Sequence, residues 1–94
     1  MSPLADGEVA AELARTPGWK RSGQAIERTY RFEDFKEAMI FVNRVAWVAE
    51  RAGHHPDVTI HYNEVTLSVW THSDGGLTQK DFSLARSIDR PSTS

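Results

Sequence analysis

A long amphipathic segment in the middle of the chain places the strongest constraint on the fold. Between residues 34 and 52, apolar side chains recur at every third or fourth position, which predicts one helix whose apolar surface covers about half of its circumference. Asp34 and Glu37 resemble a capping pair at the start of this helix, and Gly53 is suited to end it. The other segments of this 94-residue chain must therefore cover a wide apolar helix surface.

Four short segments predict β-strands in two hairpins, one on each side of the long helix. They span residues 19–22, 25–32, 58–62 and 65–70. In the second hairpin, Asn63-Glu64 is expected to form a two-residue turn, because Asn tolerates a positive φ. Pairing about that turn would place Val58 opposite Val69, Ile60 opposite Leu67, and His55 opposite His72.

Two shorter helices complete the predicted order α-β-β-α-β-β-α. The first covers about residues 7–15, and the second covers about 79–90, with Thr78 as its cap and Asp81 at its third position. Two hairpins and three helices predict an α+β fold, in which a four-stranded antiparallel sheet carries the three helices on one face. The length predicts a single domain over residues 1–90 with a disordered tail over 91–94.

The composition excludes several classes of function. Eleven Lys and Arg against 13 Asp and Glu give a net charge of −2, which lacks the basic surplus of a nucleic-acid binder. The absence of cysteine excludes disulfides, thiolate nucleophiles and cysteine zinc sites. No apolar run is long enough to span a membrane, and the first residues lack the features of a secretory signal. We therefore expect a cytoplasmic location without nucleic-acid or membrane partners.

Three of the four histidines are expected to lie close together. His54 and His55 follow the end of the long helix, His72 follows the last strand, and Glu50 lies one turn before the helix end. The predicted hairpin therefore brings three imidazoles and one carboxylate to one place. His61 is expected to lie outside this group, because six strand residues separate it from His55 by about 20 Å.

Each of these residues also has a purely structural interpretation. His54-His55-Pro56 could be only a loop, Asp81 only a helix cap, and Glu50 only a solvated residue at a helix end. Three histidines could bind zinc, but adjacent histidines in an extended chain point to opposite sides, and no His-x-His or His-Glu-x-x-His motif occurs. A nucleophile elbow and a glycine-rich phosphate loop are also absent from the sequence. The histidines thus favour general acid–base catalysis.

The motifs in combination resemble the signature of the pterin-4a-carbinolamine dehydratase family. Residues 50–56 read Glu-Arg-Ala-Gly-His-His-Pro, and Tyr62-Asn63, Thr71-His72, Gly76-Leu77-Thr78 and Asp81 follow at the spacings of that signature. Pro17-Gly18-Trp19 and Phe32-Glu33-Asp34-Phe35 extend the resemblance over nearly the whole chain. The resemblance implies the same α+β fold.

The resemblance also implies a reaction and a set of site residues. The reaction is the dehydration of 4a-hydroxytetrahydropterin to quinonoid dihydropterin without a metal or organic cofactor, which regenerates the pterin of aromatic amino acid hydroxylases. The implied catalytic residues are His54, His55, His72, Glu50 and Asp81. The implied substrate-binding residues are His54, His55, Pro56, Thr71, His72, Ser73, Asp74 and Trp19. We expect His54 and His72 to be the acid–base pair, His55 to orient the pterin, and Glu50 to set the tautomer of His54.

Two further expectations concern specificity and assembly. Asp57-Val58-Thr59 stands where the family often has an aromatic pair, and Trp70 stands where a small residue is common, so the preferred pterin side chain stays open. Ile40 and Trp47 lie two turns apart on the otherwise polar side of the long helix, which predicts a homo-oligomer. The resemblance implies that this is a homodimer or homotetramer. The alternative function is a dimerisation or transcriptional cofactor-like binding module that uses this helix surface.

Overall fold

The computed structural model describes residues 2–90 and confirms the predicted element order and fold class. The helices are α1 (Asp6–Ala14), α2 (Phe35–Ala52) and α3 (Gln79–Asp89). The strands are β1 (Lys20–Ser22), β2 (Ala25–Arg31), β3 (Asp57–His61) and β4 (Glu64–Val69). The four strands form one antiparallel sheet in the order β1-β2-β4-β3. The tail predicted over 91–94 lies outside the described residues.

The sheet has one apolar face and one polar face along its central strands β2 and β4. Burial alternates along β4, where Val65, Leu67 and Val69 are buried against the helices. On the opposite face, Thr29 lies directly across from Thr66, with the two hydroxyl oxygens 2.8 Å apart. The core therefore lies on one side of the sheet, and the other side is polar.

The long helix α2 begins and ends as predicted. The Asp34 carboxylate accepts a hydrogen bond from the Glu37 backbone N–H at 2.9 Å, and Gly53 ends the helix with φ 66°. Ile40 and Trp47 lie on its outer side with 58% and 72% of their surface exposed. Within residues 2–90, no helix combines the length and the apolar character needed to cross a bilayer.

The register predicted for the second hairpin is wrong by two residues. The turn is Tyr62-Asn63, Tyr62 takes the positive φ of 52°, and β3 pairs with β4 from His61 opposite Glu64 onward. Ile60 consequently lies opposite Val65, and Val58 lies opposite Leu67. Because the shift is even, each side chain keeps its predicted face of the sheet. The expected alignment of His55 with His72 is lost.

The cause of this shift lies outside the hairpin. The Phe32 backbone N–H donates to the Asn63 carbonyl at 2.8 Å, and the Asn63 side-chain amide donates to the Phe32 carbonyl at 2.9 Å. These bonds fix Asn63 inside the turn and allow β4 to begin at Glu64, which pairs with Arg31 of β2. A long-range contact therefore selects the turn over the local preference of Asn for a positive φ.

Helix α1 is fastened to α3 through one carboxylate. The Gln79 amide and the Arg86 guanidinium donate to Glu12 at 3.2 and 3.1 Å. These two hydrogen bonds lower the pKa of Glu12 below its ordinary value. Together with buried Val9, they hold α1 against α3.

Candidate active site

His54 points inward from the loop that follows α2. The left-handed conformation of Gly53 turns the chain out of the helix, and the His54 backbone N–H donates to the Ala49 carbonyl at 3.3 Å. The His54 side chain is 16% exposed, and its Nε2 lies 2.6 Å from Oδ1 of Asp81. Asp81 itself is 0% exposed. This pair links the end of α2 to the beginning of α3.

Asp81 is at once a helix cap and a partner of the histidine. Its Oδ2 accepts hydrogen bonds from the Thr78 backbone N–H and from the Thr71 hydroxyl, both at 2.9 Å. The Thr71 and Thr78 hydroxyl oxygens are 2.8 Å apart. Three partners therefore hold this carboxylate, so that Oδ1 faces His54 in a fixed direction. The capping role predicted for Asp81 is confirmed.

Thr71 connects this network to the segment that carries His72. The Thr71 backbone N–H donates to the Gly76 carbonyl at 3.0 Å, and the Gly76 N–H donates back to the Thr71 carbonyl at 3.3 Å. This bridge closes a short 3₁₀ turn over His72–Asp74. The exposed His72 ring packs on Trp70 with their ring centres 3.9 Å apart. Hydrogen bonds through Asp81 and Thr71 thus connect His54 to the turn that carries His72.

His55 forms a second, more exposed pair. Its Nε2 lies 2.5 Å from Oε2 of Glu50, and the two side chains are 59% and 77% exposed. The expected pairing of Glu50 with His54 is therefore wrong. Adjacent residues in an extended segment point to opposite sides, so His54 reaches α3 while His55 returns along the outside of α2. Pro56 follows them and is half-buried.

Trp19 lies at the other end of α3. Its Nε1–H donates to Asp89 Oδ2 at 2.7 Å, and Asp89 also accepts from Arg28 at 3.0 Å and from the Tyr30 hydroxyl. Burial and then the hydrogen bond to Asp89 raise the pKa of Tyr30 above its ordinary value. Asp89 follows Asp81 by eight residues, or about 12 Å along the helix axis. The structure thus does not bring Trp19 to the His54 network.

The remaining candidate residues lie at the surface. Ser73 donates to the Asp74 carboxylate at 3.1 Å within the short turn. His61 lies exposed on β3, opposite Glu64. In the described part of the chain, the structure assembles no group of three or more His, Cys, Asp or Glu side chains suited to a metal ion.

Two features of the site were not predicted from the sequence. One is the pair of threonine hydroxyls that joins Asp81 to the end of β4. The other is a cavity of about 360 Å³ between α2 and α3, lined by His54, Gly53 and Lys80 among others. The threonine contacts depend on how α3 lies against the end of β4, and the cavity depends on how α2 packs on α3. No local motif in the sequence predicts either arrangement.

The chain is similar to known proteins along its whole described length. A family model described as pterin 4 alpha carbinolamine dehydratase matches residues 2–91. A protein of Thermomicrobium roseum with the name of a pterin-4-alpha-carbinolamine dehydratase is 53% identical over 94% of this chain and 95% of its own length. A protein of the same name from Chloroflexus aurantiacus is 49% identical over 95% of this chain and 96% of its own length.

Two solved structures also resemble this chain. A crystal structure titled transcriptional coactivator/pterin dehydratase, from Brucella melitensis, has a TM-score of 0.88 and 33% identity over 94% of this chain and 96% of that chain. A pterin dehydratase-like protein described as a RuBisCO assembly factor of the alpha-carboxysome has a TM-score of 0.65 at 17% identity, over 77% of this chain and 86% of that chain. The second likeness concerns the fold alone. The family match and the identities near 50% show that this chain belongs to the pterin-4-alpha-carbinolamine dehydratase family, whose members are named for a hydro-lyase activity.

Proposed function

We propose that this protein dehydrates 4a-hydroxytetrahydropterin to quinonoid dihydropterin, with His54 and His72 as the acid–base pair. Membership of the family supports the reaction. The observation that most directly supports the role of His54 is its 2.6 Å contact with Asp81, a carboxylate that is 0% exposed. A histidine held by a buried carboxylate keeps one ring orientation, as a general acid or base requires.

The contact with Asp81 also supports a proposal about the direction of proton transfer. A carboxylate only accepts hydrogen bonds, so Nε2 of His54 carries the proton in this pair. The other ring nitrogen, Nδ1, then has the free lone pair of the neutral imidazole. We therefore assign to His54 the removal of the proton from N5 of the pterin. His72 is assigned the protonation of the leaving hydroxyl group.

The proposed reaction balances without an oxidant or reductant. The bond between C4a and oxygen breaks, and the hydroxyl leaves as water with a proton from His72. N5 loses its proton to His54, and the double bond between C4a and N5 forms. His72 has then lost one proton and His54 has gained one, and proton exchange with solvent restores both. The proposal therefore includes neither a metal ion nor an organic cofactor.

The pterin ring is proposed to lie between the His-His-Pro loop and the short turn that follows β4. His55 orients the ring there, and Pro56, Thr71, Ser73 and Asp74 form its border. Trp19 stays in the proposed set only through the resemblance, because it contacts Asp89 at the other end of α3. We also propose that an aromatic amino acid hydroxylase supplies the carbinolamine, so that the reaction belongs to pterin recycling.

Replacing His54 or His72 by Ala should lower the rate of dehydration at least tenfold, because each positioned acid or base contributes about 10²–10⁴-fold. The measurement follows formation of quinonoid dihydropterin from a carbinolamine generated by a hydroxylase. His61→Ala is the matched control, since His61 lies exposed on β3 outside the site, and it should keep full activity. EDTA should leave the wild type unaffected. Full activity in both site variants, with circular dichroism unchanged, would exclude the mechanism.

The exposed apolar pair on α2 supports a proposal about assembly. Ile40 and Trp47 are large, lie two turns apart, and are more than half exposed. A domain of this size has little core to spare, so burial of these side chains against a second copy would stabilise it. We propose a homodimer or homotetramer with α2 at the contact. The alternative, a protein-binding module, would use the same surface, and the observation that favours it is that the similar Brucella melitensis protein is named as a transcriptional coactivator.

The double variant Ile40→Glu, Trp47→Glu should reduce the assembly to a smaller species in sedimentation at micromolar concentration, because charges would replace the apolar contact. The comparison variant is Val58→Glu, Ile60→Glu on β3, where the two side chains are 41% and 38% exposed. If the β3 variant dissociates the oligomer and the α2 variant does not, the interface lies at the sheet edge. A monomeric wild type would refute the oligomer and leave the α2 surface for a different protein.

A further inference from the structure

A groove between α2 and α3 begins at His54 and runs away from it. It consists of two adjoining cavities of about 360 and 370 Å³, which share Ala52 and Ser87 in their walls. His54 and Lys80 line the first cavity, and Arg51 lines the second. Lys80 and Ser87 are seven residues apart, or about 10 Å along α3. This α2–α3 groove is therefore long enough to hold a substituent that extends beyond a ring at His54.

The charge of the α2–α3 groove is positive. Lys80, Arg51 and Arg90 line it, and no Asp or Glu among residues 2–90 does. The protein as a whole carries a net charge of −2, so this surface departs from the average. Three cations along one groove attract anionic groups to it.

Within residues 2–90, Lys80 and Arg51 form no ion pair, in contrast to five of the arginines. Five arginines pair with carboxylates, namely Arg15, Arg21, Arg28, Arg31 and Arg86. In contrast, neither Lys80 nor Arg51 pairs with any carboxylate of residues 2–90. Carboxylates close by in the chain are already engaged: Glu50 with His55, and Asp81 with His54. Lys80 and Arg51 thus keep their charge for a ligand.

The rest of the groove suits an oxyanion beside an apolar surface. Ser83 and Ser87 line it from the same face of α3, four residues apart, and supply hydroxyl donors. Ala52, Gly53 and Leu84 supply small or apolar walls. Phosphate and carboxylate oxygens accept their strongest hydrogen bonds from charged donors such as Lys and Arg, and the serine hydroxyls can donate further bonds.

We infer that the pterin substrate of this protein carries an anionic substituent, a phosphate or a carboxylate, that binds in the α2–α3 groove to Lys80 and Arg51. This inference rests on the proposed function, because it takes a pterin ring at His54 as its starting point. It names the substrate class that the sequence leaves open. Lys80 and Arg51 determine specificity and take no part in the proton transfers.

Steady-state kinetics on three carbinolamines with one pterin ring test the inference. Their side chains are a neutral dihydroxypropyl group, the same group with a phosphate ester, and a chain that ends in a carboxylate. In the wild type, KM for at least one anionic substrate should be about tenfold lower than for the neutral one, as expected for a charge-assisted contact. In Lys80→Gln, Arg51→Gln that advantage should vanish, with kcat and the neutral KM unchanged. Whichever anion has the lower wild-type KM identifies the group.

The matched control removes two charges elsewhere. Lys20→Gln, Lys36→Gln changes two exposed lysines outside the groove by the same total charge and should keep the wild-type preference. If this control loses the preference for an anionic substrate to the same extent, the preference arises from the net charge of the protein and not from the groove. Equal KM values for neutral and anionic substrates in the wild type would also overturn the inference.

A binding measurement separates this inference from the proposed function. Oxidised pterins with the same three side chains cannot react, and calorimetry gives their affinities directly. Tenfold tighter binding of an anionic pterin, lost in Lys80→Gln, Arg51→Gln, supports the groove even if no carbinolamine is dehydrated. In that case the proposed function alone fails. Turnover of all three substrates with equal affinities for all three oxidised pterins would reject the groove and leave the dehydratase in place.

Discussion

Replacing Asp81 by Asn is expected to lower the rate of dehydration at least tenfold, while the free energy of unfolding falls by less than the cost of a lost cap, which is about 1 kcal/mol. An Asn side chain can keep its oxygen toward the Thr78 N–H and the Thr71 hydroxyl, which preserves the cap. Its NH₂ group then faces Nε2 of His54 in place of the carboxylate oxygen. Because the amide donates there, Nε2 must accept, and the proton moves to Nδ1. His54 would hold the wrong tautomer for the removal of a proton from N5.

The control for this prediction is the other aspartate cap of the protein. Asp34 caps α2 through the Glu37 N–H and lies far along that helix from His54. Asp34→Ala should cost about 1 kcal/mol of stability and leave kcat unchanged at temperatures below the transition. Melting curves and dehydration rates of both variants test whether Asp81 acts in dehydration as well as in capping α3. If Asp81→Asn changes the melting temperature alone, a cap is all that Asp81 provides.

The sequence predicts this region well where the signal is local. The cap of α3 depends on Thr78 and Asp81, which are three residues apart, and the end of α2 depends on Gly53. Both are confirmed, because capping needs only a short stretch of chain with the right side chains. The helix surface with exposed Ile40 and Trp47 follows in the same way from helical spacing.

The partners of the histidines could not be predicted, because they depend on packing between distant segments. His54 and Asp81 are 27 residues apart, and their contact exists only once α3 lies against the end of α2. The register of the second hairpin was likewise decided by Phe32, which is 31 residues from Asn63. A shift of two residues kept the faces of the strands and displaced the ends, which is where His55 and His72 stand. The family spacing gives the residues of the site without the contacts among them.

The largest loss of stability is expected at the other end of α3. Asp89→Ala should lower the free energy of unfolding by about 2 kcal/mol, and the melting temperature by about 10 °C for a domain of this length. The substitution removes the shared acceptor of Trp19, Arg28 and Tyr30, and Trp19 is only 6% exposed, so its indole N–H would lose its partner. An aspartate in the last turn of a helix opposes the helix dipole, so its removal recovers about 0.3–1 kcal/mol. The lost hydrogen bonds outweigh this gain.

The matched control for Asp89 is Asp6→Ala. Asp6 also pairs with an arginine, Arg21 at 2.9 Å, but its side chain is 92% exposed, so its loss should change stability by less than about 0.5 kcal/mol. Melting curves compare the two variants, and an Asp89→Ala effect as small as that of Asp6→Ala would contradict the role assigned to the Asp89 network.

The Asp89→Ala variant also tests whether Trp19 contacts the substrate. If Trp19 serves only to anchor α3, KM for the pterin stays unchanged, because about 12 Å of helix separates Asp89 from Asp81. If KM rises with Asp89→Ala while His54→Ala mainly lowers kcat, Trp19 contacts the substrate as the family resemblance implies.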